Sequence, residues 1–243
     1  MNRNLAIPKG FPLSCALGGF VVGSRSAGMS EYVVPRRRMV ERLAARGVRD
    51  RRVLEAIGRV PRHRFLPEAL AGKAYDENAA LPIGEGQTIS APTIVAVMTE
   101  ALELSGSEQV LEVGTGSGYQ AAILSGLAAR VVSIERVPRL AASARSALDR
   151  LGIANVVVYL GDGSSGRPSD APFDAIVVTA GGPEVPPPLV SQLAPGGRLV
   201  GPFGSREEQS LIRLRRAADG RISREVLGRC RFVDLVGAHG WAA

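Results

Sequence analysis

The run Val110-Leu111-Glu112-Val113-Gly114-Thr115-Gly116-Ser117-Gly118 constrains the fold of this chain more than any other segment. Its first residues read as a short buried strand, and three glycines at alternate positions read as the turn that follows. Glycine is needed where backbone turns sharply and where a ligand must approach without a Cβ in the way. The spacing predicts a strand over Gln109–Val113 and a helix over Ser117–Leu127. Strands are then predicted at Arg130–Glu135, Val156–Leu160 and Phe173–Thr179, with helices at Pro138–Leu151 and Pro186–Leu193. Arg198–Val200, Gln209–Arg215 and Arg224–Val236 read as closing strands. Strands that alternate with helices imply a mostly parallel sheet covered on both faces, hence a doubly wound α/β fold.

In such sheets the first glycine turn lies at the carboxyl end of its strand, where nucleotides bind. The dinucleotide fingerprint G-x-G-x-x-G aims a helix N-terminus at pyrophosphate. Here the glycines run G-x-G-x-G, and Tyr119 stands where the third dinucleotide glycine belongs. A nucleoside ligand without pyrophosphate fits this turn, and S-adenosylmethionine is such a ligand. Glu135 ends the next strand, 21 residues after Gly114. A carboxylate there can accept two hydrogen bonds from a ribose diol, which serves NAD and adenosylmethionine equally and argues against NADP. Gly161-Asp162-Gly163 follows the third strand, where Asp162 can accept from an adenine amino group.

The remainder narrows the class. A hydrophobic fraction of 45% and a charged fraction of 22% describe an ordinary globular chain. Of 30 basic residues only Lys9 and Lys73 are lysine, and the net charge is +7. The arginines are scattered and form no stripe with interleaved aromatics, so the basic excess reads as composition and not as a nucleic-acid surface. Cys15 and Cys230 show neither metal-ligand spacing nor a disulfide framework, and no metal is expected. No run of 18 apolar residues is present, so no membrane span is expected. Residues 1–34 lack periodicity and are expected to be a poorly ordered extension. The segment Phe11–Val22 is broken as a signal core by Pro12 and Gly18-Gly19, and a cytoplasmic location is expected. The sequence leaves residues 1–28 open between a true extension, a weak export signal and a start codon placed upstream of Met29.

Residues 35–243 are expected to form one domain, divided into a helical segment with an active-site loop (35–90) and an α/β core with closing strands (91–243). Met39, Val40, Leu43 and Ala44 mark a first helix capped near Gly47. Asp50 opens a second, with Val53, Leu54 and Ile57 on one face. His63, one of two histidines, reads as a packing or surface residue.

From about Arg37 to Trp241 the chain resembles the protein-L-isoaspartate O-methyltransferases. The carrying residues are Ala80-Leu81-Pro82-Ile83-Gly84-Glu85-Gly86-Gln87-Thr88-Ile89-Ser90, Leu111 to Gln120, Gly161-Asp162-Gly163, Ala171 to Ala180 and Leu193 to Val200. Many methyltransferases share the glycine turn; Gln87-Thr88-Ile89-Ser90 ahead of it is far more particular to this family. The resemblance implies a Rossmann-like methyltransferase sheet with a small N-terminal helical segment and a C-terminal segment covering the substrate. It implies methyl transfer from S-adenosylmethionine to the α-carboxylate freed when a residue rearranges to isoaspartate, in damaged proteins and peptides. Gly114, Thr115, Gly116, Gly118, Glu135, Asp162 and Gly163 match cofactor positions. Ser90 matches the active-site position, with Thr88 and Ile89 beside it on the substrate. Glu85, where an uncharged Gln is common, and Gly181-Gly182-Pro183, in place of Ala-Pro-Pro, depart from the family and bear on substrate preference.

The chemistry fits what is absent. A carboxylate is ionised at neutral pH and needs no general base. Methyl transfer from a sulfonium neutralises two opposite charges, so alignment is the enzyme's main tool. A dedicated aspartyl-peptide methyltransferase of the same family is the first alternative. A nucleic-acid methyltransferase is the second, disfavoured because Thr179-Ala180-Gly181-Gly182 replaces the Pro-Pro-aromatic signature and no cysteine lies near the strand ends. A monomer without nucleic-acid partner is expected.

Overall fold

The structure is a computed structural model that describes residues 31–242. The expectations for Cys15, for Phe11–Val22, for Met29 and for the extension up to residue 30 lie outside the described residues. Helix α1 spans Val33–Ala45, so helical structure begins two residues ahead of Pro35. Met39 and Leu43 bury its inner face, and Gly47 follows with a φ of 102°. Helix α2, Arg51–Arg59, is capped by the Asp50 carboxylate, which accepts from the Arg52 amide. Val53, Ala56 and Ile57 face inward. His63 stacks on Tyr32 at 4.1 Å between ring centroids and shares a 2.7 Å hydrogen bond with the Tyr75 hydroxyl, a packing role as read.

The segment read as a loop ahead of Ser90 is a hairpin. Strand β1, Leu81–Gly84, pairs antiparallel with β2, Gln87–Ile89. Glu85 and Gly86 turn it with φ of 54° and 68°. Two left-handed residues make the tight hairpin turn, and Glu-Gly advertises it less than Asn-Gly would. Helix α3, Pro92–Ala101, starts directly after Ser90 with Pro at its first position.

Then follow β3 (Gln109–Val113), α4 (Tyr119–Ser125), β4 (Arg130–Glu135), α5 (Pro138–Arg150), β5 (Val156–Leu160), β6 (Phe173–Val178), α6 (Pro187–Ser191), β7 (Leu193–Gly204), β8 (Gln209–Arg216) and β9 (Ile222–Cys230). The seven-stranded sheet has the order β5-β4-β3-β6-β7-β8-β9. Strands β5 to β7 are parallel, while β8 and β9 join antiparallel. This is the Rossmann-like, mostly parallel sheet expected. Side chains alternate between its faces. Val110, Val131, Ala175 and Val177 join a core beneath the N-terminal helices, while Leu111, Val132, Ile176 and Val178 join a core on the other face.

The last strand differs from the expectation. Strand β9 ends at Cys230 and not at Val236. Gln209 Oε1 accepts from the Phe232 amide, and the chain then leaves the sheet edge and crosses over the strand ends. The apolar pattern past Cys230 is real, but Leu235 buries against Gly182 and in the second core without extending β9.

Candidate active site

Strand β3 has β4 on one side and β6 on the other, so the connections leaving it diverge and a crevice opens at their carboxyl ends. A pocket there is walled by the glycine turn, the end of β4, the β2–α3 junction and the chain after β9. Gly114, Thr115, Gly116, Glu135, Gly163, Thr88, Ile89 and Ser90 all line it, which unites most of the residues singled out from the sequence.

The glycines have separate duties. Gly114 has a φ of 98°, and a Cβ there would strike the Thr179 hydroxyl. That hydroxyl donates to the carbonyls of Val113 (2.9 Å) and Gly114 (2.5 Å), locking the turn to the end of β6. Gly116 has a φ of 53°, and the nearest atom a Cβ would meet is Ile83 Cδ1 at 3.5 Å, from the hairpin above. Its space is therefore the pocket itself. Gly118 is not part of the pocket wall. It sits at the N-cap of α4, where a Cβ would come within 3.3 Å of Ala144. Gly163 borders the pocket because a side chain there would run into Val113.

Glu135 is buried at the pocket wall. Its Oε2 accepts from the Gly116 amide at 2.8 Å, and its Oε1 from the Val137 amide at 2.9 Å. These bonds fix the carboxylate beside the turn, and each oxygen keeps a lone pair for a diol. Asp162 lies outside the pocket wall. Its Oδ1 accepts from the Ser164 amide (2.8 Å) and hydroxyl (2.7 Å), and its Oδ2 from the Ala238 amide (2.7 Å). Burial works to raise this carboxyl, and the Ala238 and Ser164 donors outweigh it, so it stays below the usual range. Ser90 follows β2, and among the described residues its hydroxyl has no protein hydrogen-bond partner.

Glu112 lies fully buried beneath the turn. Burial pushes its carboxyl up to about 8, with the nearby Glu135 charge adding to the effect. Ser133 donates to Glu112 Oε2, and Thr115 Oγ1 shares a 2.5 Å hydrogen bond with Ser133 Oγ. A carboxyl raised this far favours its protonated form near neutral pH, and Glu112 meets the turn through a chain of hydroxyls.

The resemblance implied a C-terminal segment over the substrate, but the residues after β9 that meet the pocket were not singled out. Val233, Asp234, Leu235 and Val236 form one wall of the pocket. The Gly181 amide donates to the Val233 carbonyl (2.7 Å), and the Gly181 carbonyl accepts from Leu235 N (2.8 Å) and Trp241 Nε1 (2.9 Å). The glycines that depart from the family motif thus receive this strap, since a Cβ on Gly182 would crowd Phe203 and Leu235. Glu85, the other departure, reaches from the hairpin tip to Arg139 of α5 at 3.3 Å, on the far side of the pocket. Thr179 was also missed. Its position after an apolar strand next to β3 was a usable signal. The strap carried none, because its partners are backbone groups.

The arrangement brings a diol acceptor, a glycine cradle and a hydroxyl into one cleft. Among the described residues that line it there is no nucleophile–base pair. Cys230 is not a thiolate candidate: burial pushes its thiol up to about 11, and Sγ faces the Gln209 carbonyl at 3.6 Å. Among the described residues no group of acids, histidines and cysteines is placed to hold a metal.

Comparison with known proteins agrees with this geometry. The family model described as protein-L-isoaspartate(D-aspartate) O-methyltransferase matches residues 35–240. The chain is 57% identical over 211 residues to the protein-L-isoaspartate O-methyltransferase of Geobacter metallireducens, covering 86% of this chain and 97% of that one. It is 55% identical to the Methanoculleus marisnigri protein of the same name, over 85% of this chain and 93% of the relative. Among solved structures, a Plasmodium falciparum protein described as a putative protein-L-isoaspartate O-methyltransferase, in complex with S-adenosyl-L-homocysteine, aligns with a TM-score of 0.72. It shares 25% identity over 83% of this chain and 98% of its own. Matched over nearly the whole length of its relatives, and with the pocket the family motifs require, this chain belongs to the protein-L-isoaspartate(D-aspartate) O-methyltransferase family.

Proposed function

We propose that the protein transfers a methyl group from S-adenosylmethionine to the free carboxylate of isoaspartyl residues in damaged proteins, the step that starts their repair. The observation that carries this reading is the Ser90 hydroxyl, unpartnered within the described protein, in the same pocket as the Gly114–Gly116 cradle and Glu135. The pocket fits the cofactor: the space beside Gly116 is one a Cβ would fill, and Glu135 is held by two amides with acceptor capacity left over.

S-adenosylmethionine supplies a methyl group on a sulfonium, ready for displacement. Glu135 accepts from the ribose, while Gly114, Thr115, Gly116 and Gly163 let backbone approach the nucleoside. Gly118 acts at one remove, by seating α4 behind the turn. Gly163 borders the adenine end, with Asp162 next to it outside the pocket wall. Ser90 donates to one oxygen of the isoaspartyl carboxylate and leaves the other to attack, with Thr88 and Ile89 flanking it. A bond forms from carboxylate oxygen to methyl carbon as the carbon–sulfur bond breaks and its electron pair stays on sulfur. No proton moves, so no base is needed. Holding the atoms in line is worth several kcal/mol, by roughly the magnitude of well-oriented intramolecular reactions.

The reading extends to a single methyltransferase domain over residues 35–243, acting as a cytoplasmic monomer with no nucleic-acid partner. Many arginines among the described residues are paired internally, as Arg42 and Arg46 are with Glu77 and Arg213 is with Glu103 and Glu225, which supports a structural use of the basic excess. None of the described helices is long and apolar enough to cross a membrane.

The test is methyl transfer to an isoaspartyl peptide beside its aspartyl twin, for wild type and Ser90→Ala. The isoaspartyl peptide is expected to be strongly preferred. Ser90→Ala is expected to lower turnover about tenfold or more, roughly one hydrogen bond of 1.5 kcal/mol, with cofactor affinity within about threefold. Equal methylation of both peptides, or unchanged turnover in the variant, refutes the reading.

A further inference from the structure

Resemblance assigns Asp162 to adenine, yet the geometry gives it another task. Its Oδ2 holds the Ala238 amide at 2.7 Å, and the adjacent Ser164 Oγ accepts from the His239 amide at 3.0 Å while donating to Asp162 Oδ1. Ser164 is fully buried at the centre of this network, while its Ala238 and His239 ends are exposed. Gly237 packs directly onto it, and a Cβ at that position would collide with Asp162 Oδ1 and Ser164 Oγ. Three successive strap residues are thus fitted to the turn that follows β5.

The strap is therefore held at two ends of the crevice. Gly181, beyond β6, grips Val233 and Leu235 through backbone bonds, and Asp162 with Ser164, beyond β5, grips Ala238 and His239. The first anchor lies within the stretch from Val233 to Val236, which walls the same pocket as Ser90, and the second holds the chain just beyond it. Gly163, between the two anchoring residues, borders the cofactor end of the same pocket.

We propose that Asp162 and Ser164 are positioning residues for the peptide substrate: they tether the strap so that the Val233–Val236 wall is set from the cofactor side of the sheet. This rests on the isoaspartyl methyltransferase reading for the identity of the peptide and goes beyond it in assigning what orders the peptide wall.

Two variants test the tether without touching a residue of the pocket wall. Ser164→Ala removes the hydroxyl that joins Asp162 to His239, and Ala238→Pro removes the amide that Asp162 accepts. Hydrogen exchange of residues 233–241 is read with and without saturating S-adenosylhomocysteine, alongside S-adenosylhomocysteine affinity by calorimetry and KM and kcat on an isoaspartyl peptide. Both variants are expected to speed strap exchange at least tenfold and to raise the peptide KM about five- to tenfold. Affinity for S-adenosylhomocysteine should stay within about twofold. Ser164→Thr, which restores the hydroxyl, should recover slow exchange of the strap. Unchanged exchange at 233–241 overturns the proposal, as does a fall in S-adenosylhomocysteine affinity that matches the rise in KM. Exchange and calorimetry need no turnover, so a wild type inactive on the isoaspartyl peptide would sink the functional reading while these readouts still decide the tether.

Discussion

Replacing Glu112 by Gln should make the protein's stability less sensitive to alkali. In the folded state burial holds this carboxyl at about 8, against an ordinary value of 4.5. The sign follows from linkage. Below about pH 4.5 both folded and unfolded chains carry the proton, and the contribution is fully present. As pH rises, the unfolded chain ionises first, so folding grows less favourable until the folded group also ionises near 8. The gap of 8 − 4.5 = 3.5 units sets a ceiling of about 5 kcal/mol at roughly 1.36 kcal/mol per unit. Relaxation around a newly formed charge lowers this to the order of a few kcal/mol. Glutamine keeps the shape and an oxygen for the Ser133 hydroxyl, so at low pH the two proteins should match within about 1 kcal/mol. Denaturant unfolding at intervals between about pH 5 and pH 9 measures the difference directly, and titrations elsewhere cancel. The variant should gain on wild type by as much as 1.4 kcal/mol per pH unit, levelling off above about pH 8. A difference that stays constant across the range would refute the assignment of a buried neutral acid beneath the turn.

Other outcomes are as definite. Glu135→Ala should weaken S-adenosylhomocysteine binding by about 2 kcal/mol, two hydrogen bonds to a charged acceptor being lost, and calorimetry reads it. Gly116→Val should fold, by circular dichroism, yet bind no measurable cofactor, because its side chain would enter the pocket beneath Ile83. Thr179→Val should keep the fold but loosen the glycine turn, since the bonds to the Val113 and Gly114 carbonyls go. Its expected loss is about 1 to 2 kcal/mol of stability by thermal unfolding, and an unchanged midpoint would show the turn to be held by other means.

The parts of this fold that bury apolar side chains in a regular period were legible in the sequence. Strands β3, β4 and β5 have the expected limits because their apolar runs are bounded by turns at Gly114, Arg136 and Gly161. The sites written in backbone geometry were not legible. The Glu85-Gly86 turn depends on two positive φ values, and the strap depends on the carbonyl and amide of Gly181, which any residue type also possesses. Gly118 and Asp162 show the same limit from the other side. Their motif positions were plain, but whether a residue faces a ligand or a neighbouring element follows from packing, here against Ala144 and Ala238.

The pocket draws its walls from stretches as far apart as Gln87 and Val236. No hairpin, helix pair or half-sheet owns enough of it to bind anything alone. Those distant pieces come together only after the loops between them have been closed, and each closure costs chain entropy before any contact rewards it. The site should therefore be among the last features to appear as the chain folds and among the first to be lost as it loosens. A ligand seated there touches every late-forming piece at once and acts as a brace on the whole molecule, so that its binding raises the free energy of global unfolding by mass action.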